Sequence, residues 1–359
     1  MTSTYMVERA DAAEPSEGEN IMNKFFEAVD LSAKDSFPSI FKADPPNMLY
    51  QYTSLESSEK ILEGNTIRFT RVNFMNDREE MRYGLTMLYK LVTLFIKDNK
   101  LSERVRYFLL VLFSSIVADF GYENEWNTLR SFLKDNSFDK DNPEQYEVIN
   151  RSSRMDIYVA CFSADAAKDS LPMWYMYADH GTGVCLGFDA KKLIEAHQTQ
   201  YEGFPEPFQV SCFYGPEGTS KIPEFKLGIA EFIRNTGNFL QQHYSTGGTV
   251  DELNESGFLD LIKHYILVAT LAFKHGAFHH ESEWRLLTLV SRDNTHVRFD
   301  EKKRPYVLIP YNALAKNLLK EIWLAPAHPN EVDTAKTFFS QKCGKSIEVI
   351  KSQIPFRKI

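Results

Sequence analysis

The sequence is poor in the devices that announce a chemistry. It has 4 cysteines in 359 residues, Cys161, Cys185, Cys212 and Cys343, and no two form a C-x-x-C pair. That spacing argues against a zinc finger or a dithiol redox pair and predicts free thiols in a reducing compartment. No G-x-G-x-x-G follows an apolar run, no G-x-S-x-G occurs, and no H-E-x-x-H occurs. The dinucleotide fingerprint, the serine-hydrolase elbow and the zinc-protease helix are thereby set aside. The most apolar stretch, Tyr107 to Ala118, is too short to span a bilayer. The first residues lack a basic segment followed by an apolar one, so a cytoplasmic protein with no membrane partner is expected. A basic excess is also missing: 41 Lys and Arg face 49 Asp and Glu, a net charge of −8. That balance does not suit a protein that coats duplex nucleic acid, although it leaves room for a local basic pocket.

What the chain has in plenty is apolar and aromatic side chains. It is 43% hydrophobic and 13% aromatic, with 27 Phe and 17 Tyr, enough for a packed core. Residues 1–20 are polar and acidic and read as a disordered tail. Residues 21–359 read as a single α+β domain, mainly antiparallel in its sheet. MLYQYT is a strand. Ser54 caps a helix that Glu63-Gly64-Asn65 ends, and TIRFTRV is a second strand. Residues 78–153 carry helical periodicity and read as a helical insertion, a surface on which a partner protein could dock.

The segment from Cys161 to Asp189 concentrates the most special chemistry. A strand ending at CFS leads through a polar loop to a short helix with Met173, Trp174, Tyr177 and Ala178 on one side. Gly181 and Gly183 break it before a strand at Val184 to Phe188. Trp174 reads as core. Farther on, helices are expected over Pro223–Tyr244 and Asp251–His275, the latter closed by Lys274 near its dipole-negative end. EWRLLTLV, from Glu283 to Val290, alternates as a strand. His275, His279, His280, Glu281 and Glu283 lie within nine residues. Gly276 ends the helix before His275 and His279 could share a face, so no metal is expected.

These motifs together carry a resemblance. LYQYTS with FMND, CFS, MWYMYADHGTGVCLGF, and the K-x8-E-W-R run from Lys274 to Arg285 resemble the bacterial domain-of-unknown-function family 2971 across most of residues 48–355. Arg78 stands where that family usually has the proline of Asn-Asp-Pro. LYQYT, a helix ending at Gly64, and TIRFT also look like the opening of ADP-ribosyltransferase-like domains, with Gln51 at the position of their histidine. That resemblance implies a split β-sheet fold with helical insertions, NAD as substrate, and a late strand bearing a glutamate, here Glu283 or Glu281. It also implies an effector that modifies a protein or nucleic acid, such as a toxin or an anti-phage defence protein.

The chemistry assigns roles under that resemblance. Breaking the nicotinamide–ribose bond builds positive charge on the sugar and needs a carboxylate nearby. Glu283 and Glu281 are the candidates, with Tyr52 beside them. Tyr52 and Tyr177 could stack on the nicotinamide, Arg68 and Arg71 could meet phosphates, and Gln51, Thr53, Ser163 and Arg285 could make polar contacts. The same residues fit a non-catalytic module that binds a nucleotide or peptide, and Glu283 with Arg285 also reads as a structural ion pair. Alternation alone does not say which of Glu281 and Glu283 faces a pocket.

Overall fold

A computed structural model describes residues 44–75, 155–198, 208–215, 221–256, 258–291, 294–311, 318–344 and 346–355, with a few positions between 83 and 109. The expected acidic tail, Asn76-Asp77 and nearly all of the helical insertion at 78–153 lie outside the described residues.

In chain order the first elements are β1 (Met48–Thr53), α1 (Leu55–Gly64) and β2 (Thr66–Arg71). The local signals behave as their chemistry requires. Ser54 Oγ accepts the Ser57 N–H at 3.1 Å, and Asn65, at φ 47°, takes the left-handed position that closes the helix. Next come β3 (Met155–Ala164), α2 (Leu171–Tyr177), β4 (Val184–Asp189), α3 (Ala190–Gln198), β5 (Phe208–Ser211) and β6 (Phe213–Gly215). Then follow α4 (Lys221–Ser245), α5 (Val250–Glu255), α6 (Phe258–Thr270), β7 (Phe273–His275) and β8 (Glu283–Ser291). The chain closes with β9 (Arg298–Phe299), β10 (Pro305–Pro310), β11 (Leu319–Leu324), α7 (Val332–Cys343) and β12 (Glu348–Lys351). Among the described residues, no helix is long and apolar enough to cross a membrane.

Among the described residues, ten strands form one open sheet, ordered β12-β11-β4-β1-β3-β2-β10-β9, with β8 pairing β3 and β5 pairing β8. Every pairing in it is antiparallel except β11 with β12. The α+β, mainly antiparallel architecture expected from the sequence is what forms.

β3 is the strand on which the sheet turns. One edge pairs with β8 without interruption, from Met155–Ser291 to Ser163–Glu283. The other edge is shared. β2 takes Tyr158 and Val159, β1 takes Ser163 and Ala164, and neither strand pairs with the residues between. The sheet therefore forks: β1 departs toward β4, β2 departs toward β10, and a gap opens over Ala160–Phe162.

The two faces differ in chemistry because strand side chains alternate. One face carries Leu49, Ile67, Phe69, Ala160, Phe162, Leu186, Trp284, Leu286, Val307 and Ile322. It buries them against Leu193 and Ile194 of α3, Ala335 and Phe339 of α7, and the apolar side of α1. The opposite face holds Tyr50, Tyr52 and Cys185, packed against Met173 and Trp174 of α2. Polar residues of that second face surround the fork.

The local structure departs from simple spacing in three places. The helix expected over Asp251–His275 is two helices that stop at Thr270, and Lys274 lies in a three-residue strand. The run from Phe208 to Gly215 breaks at Cys212 into β5 and β6, because its second half pairs with β7 in a separate two-stranded parallel sheet. Glu281 does not extend β8. It ends a 3-10 turn, Gly276–Glu281, and Ser282 follows at φ 43°.

Candidate functional site

A cleft of about 990 Å³ occupies the fork, lined by β1, β2, β3, α1, α2, the β7–β8 connection and the β9–β10 hairpin. Its size is at the upper end of the range for ligand sites, about 300–1,000 Å³.

The inner end is a buried ionic cluster. β7 and β8 are joined by a tight turn, so residues nine apart in sequence meet side by side. Lys274 Nζ donates to Glu283 Oε2 at 2.6 Å and also to Glu281 Oε2. Arg285, two residues along β8 and on the same face, donates Nε to Glu283 Oε1 at 3.1 Å and Nη2 to Oε2 at 3.0 Å. The third guanidinium nitrogen of Arg285 donates to the Leu271 carbonyl at 2.6 Å. Tyr177 donates its hydroxyl to Glu281 Oε1 at 2.8 Å. The Tyr214 hydroxyl accepts the Glu283 N–H at 2.6 Å, and the Cys212 thiol approaches Glu283 Oε2 at 3.8 Å. Lys274, Glu281, Glu283 and Arg285 are all buried, Arg285 completely.

Burial by itself raises the cost of the Glu283 carboxylate's charge, but the adjacent Arg285 and Lys274 outweigh it. They hold Glu283 well below the ordinary carboxylate value and therefore ionised. The Tyr177 hydroxyl is pushed up, first by burial and then by the Glu281 charge beside it. It stays protonated and remains a donor.

The side wall is aromatic. Tyr50 opposes Ser163 on β3 and Gly187 on β4, and donates its hydroxyl to Glu321 Oε1 at 2.9 Å. A Cβ on Gly187 would lie 2.8 Å from Glu321 Cγ and 3.1 Å from the Tyr50 ring, so the absent side chain makes space for that pair. Trp323 Nε1 donates to the same Glu321 oxygen at 2.8 Å, and Lys168 pairs with it at 3.1 Å.

The outer end is cationic. Arg68 on β2 lies over the Tyr306 ring, 4.2 Å from its centre, and donates Nη2 to Asp300 Oδ2 at 2.8 Å. Arg298, Lys302 and Arg304 of the β9–β10 hairpin line the same mouth.

Of the residues singled out from sequence, Gln51, Tyr52, Thr53, Arg68, Ser163, Tyr177, Glu281 and Glu283 line this cleft. Both glutamates face it, because the left-handed Ser282 turns Glu281 back toward Lys274. Arg285 stands behind Glu283 rather than in the cleft wall and acts on it from there. Arg71 points to the other face and pairs with Asp156 at 2.8 Å, so the phosphate contact expected of it is corrected. Tyr52 is corrected as a catalytic candidate. Its hydroxyl donates to the Ala167 carbonyl at 2.7 Å and accepts the Ser170 N–H at 3.2 Å, and its ring packs edge-on against Trp174. It offers the cleft a ring, not a hydroxyl. Gln51 Oε1 is buried without a hydrogen-bond partner among the described residues, an acceptor left over at the fork.

Lys274 is the member that sequence reasoning misplaced. Read as a helix-ending cation, it bridges two acids instead. The signal was its position in K-x8-E-W-R, a spacing that only a strand–turn–strand brings together.

Residues 173–286 match the family model described as Protein of unknown function (DUF2971). Across that stretch the chain is similar to the DUF2971 family. The matched stretch holds Tyr177, Tyr214, Lys274, Glu281, Glu283 and Arg285, the whole of the inner cluster. β1 and β2, which supply the other side of the cleft, precede it. No curated protein and no solved structure matches the chain.

Proposed function

We propose that this protein is an ADP-ribosyltransferase-like effector that takes NAD into the forked sheet and transfers ADP-ribose to a macromolecular acceptor. One observation carries the reading: a single cleft joins a cationic mouth to a buried, ionised glutamate. A nucleotide with phosphates at the mouth would bring its ribose toward that carboxylate. The aromatic wall of Tyr50, Tyr52 and Tyr177 suits a flat ring.

In this reading the bond between ribose C1′ and the nicotinamide nitrogen breaks, and its electron pair leaves with the nicotinamide. The positive charge on the ribose is met by the fixed Glu283 carboxylate, which needs no reorganisation. The acceptor nucleophile bonds to C1′ and its proton passes to Glu281. Arg285 and Lys274 hold Glu283 in place and ionised.

Incubation of the protein with labelled NAD and cellular fractions tests this. Label transfer by the native protein, and at least a hundredfold less by Glu283→Gln, is the expected result, on the scale of losing one electrostatic stabiliser. Native protein that neither releases nicotinamide nor transfers label to any fraction defeats the enzymatic reading.

A second reading is favoured by the saturation of Glu283. Both of its oxygens already accept from Arg285, and one accepts from Lys274 as well. A cleft so arranged would bind a nucleotide without turning it over. Thermal stabilisation by NAD with no nicotinamide release would establish that version.

A further inference from the structure

We infer that the β9–β10 hairpin and Arg68 form a preorganised clamp for the diphosphate of a nucleotide, with Phe299 as the platform for its base. The inference deepens the nucleotide reading of the cleft and rests on it, but not on ribosyl chemistry.

The clamp is organised by Asp300. Its Oδ1 accepts the backbone N–H groups of Lys302 at 3.0 Å and Arg304 at 2.9 Å, which folds the hairpin tip around it. Its Oδ2 accepts Arg68 Nη2 at 2.8 Å and Arg304 Nε at 2.7 Å. One carboxylate oxygen therefore holds two guanidinium groups side by side, one from β2 and one from the hairpin. The hydrogen bond from Arg68, then those from Arg304, keep Asp300 well below the ordinary carboxylate value, so the hub stays charged. The Tyr306 ring beneath Arg68 fixes the plane of that guanidinium.

Two cations share one anion here, and Arg304 has two terminal nitrogens that bond no described residue. Their remaining N–H groups are fixed, adjacent donors in a wall of the cleft. Fork-shaped donors in this arrangement suit phosphate oxygens, and holding two of them in advance removes an ordering cost from binding. Phe299 is 66% exposed at the same mouth. A large ring held in water beside phosphate donors is how proteins stack a nucleobase without reading its identity.

The experiment measures binding of ADP, inorganic pyrophosphate and adenosine to the full chain by calorimetry, for native protein and for Arg304→Gln, Arg304→Lys and Phe299→Ala. Native protein is expected to bind ADP and pyrophosphate and to bind adenosine far more weakly. Arg304→Gln should weaken ADP and pyrophosphate at least tenfold, the scale of a lost charge-assisted contact. Phe299→Ala should weaken ADP roughly fivefold and leave pyrophosphate unchanged. Arg304→Lys keeps the charge without the fork and should fall between native and Arg304→Gln, which covers the case of a poorly folded glutamine variant. ADP affinity unchanged in Arg304→Gln, or adenosine binding as tightly as ADP, overturns the clamp. Absence of nicotinamide release, with ADP binding still dependent on Arg304, overturns only the ribosyl transfer. Nicotinamide release with ADP affinity indifferent to Arg304 overturns only the clamp.

Discussion

Glu283 is held by two cations inside the protein, and that fixes what its removal does. Breaking a buried ion pair by neutralising one partner typically costs about 3–5 kcal/mol. Glu283→Gln should therefore lower the denaturant midpoint clearly, whatever it does to activity. The sign of the pH effect follows as well. The folded value of Glu283 lies below its unfolded one, so its contribution is complete above about pH 4.3 and is lost as the pH falls further. Stability measured from pH 5 down to pH 2 should fall less steeply in Glu283→Gln than in native protein. Equal slopes would mean that the carboxylate is not held ionised by its neighbours. Tyr52 sets the opposite case. Its hydroxyl is spent on a carbonyl and an amide of the loop before α2. Tyr52→Phe should cost about 1–3 kcal/mol for the buried groups left unpaired, and should leave NAD binding intact. Loss of binding without loss of stability would return the hydroxyl to the site. The alternation in EWR made Glu283 and Arg285 legible as a same-face pair. Nothing local could reveal that Tyr52's oxygen was already committed, because its partners lie more than a hundred residues away.

Elements built from local signals were legible. The Ser54 cap, the Asn65 stop and the alternation of β2 and β8 depend on contacts within a few residues, and they form where those residues stand. Elements settled by distant partners were not. The strand at β7 exists because it pairs with β6, and an apolar run after a helix gives no notice of that. Gly183 belongs to this scale too. A Cβ there would come within 2.3 Å of the Thr53 carbonyl and 2.9 Å of the Ala178 carbonyl, both backbone. Its N–H donates to Ala178 and its carbonyl accepts from Ala325, so it cannot move to relieve the clash. Gly183→Ala should cost on the order of 1–3 kcal/mol or more, as forced overpacking does, and should loosen α2 against β1. Chemical denaturation with tryptophan fluorescence measures both, since Trp174 is on α2 and touches Tyr52. An unchanged midpoint would mean that this close approach does not exist in solution.

At the scale of the whole molecule the fork in the sheet decides what the protein can do. It exposes one side of β3 partway along its length, and Cys161 is the cysteine that lines the resulting cleft. Cys185 and Cys212 are buried, and Cys343 is half-buried on α7. A mild alkylating reagent should label Cys161 and Cys343 before the other two, and NAD or ADP should slow Cys161 while leaving Cys343 alone. Peptide mass spectrometry reads this directly. Equal protection of both thiols, or none, would show that nucleotide does not enter the fork.

The sequence by itself determined the α+β class, the capped helix between β1 and β2, the acidic pair at 281–283 and the aromatic helix before Gly183. Each is written in the spacing of near neighbours. Only the tertiary structure decided that β1 and β2 share one edge of β3 without filling it, that Lys274 joins two acids, and that Arg71 turns away while Arg68 does not. Those outcomes depend on which strands pair and in what register, and a strand's partners are chosen by the burial of the whole sheet.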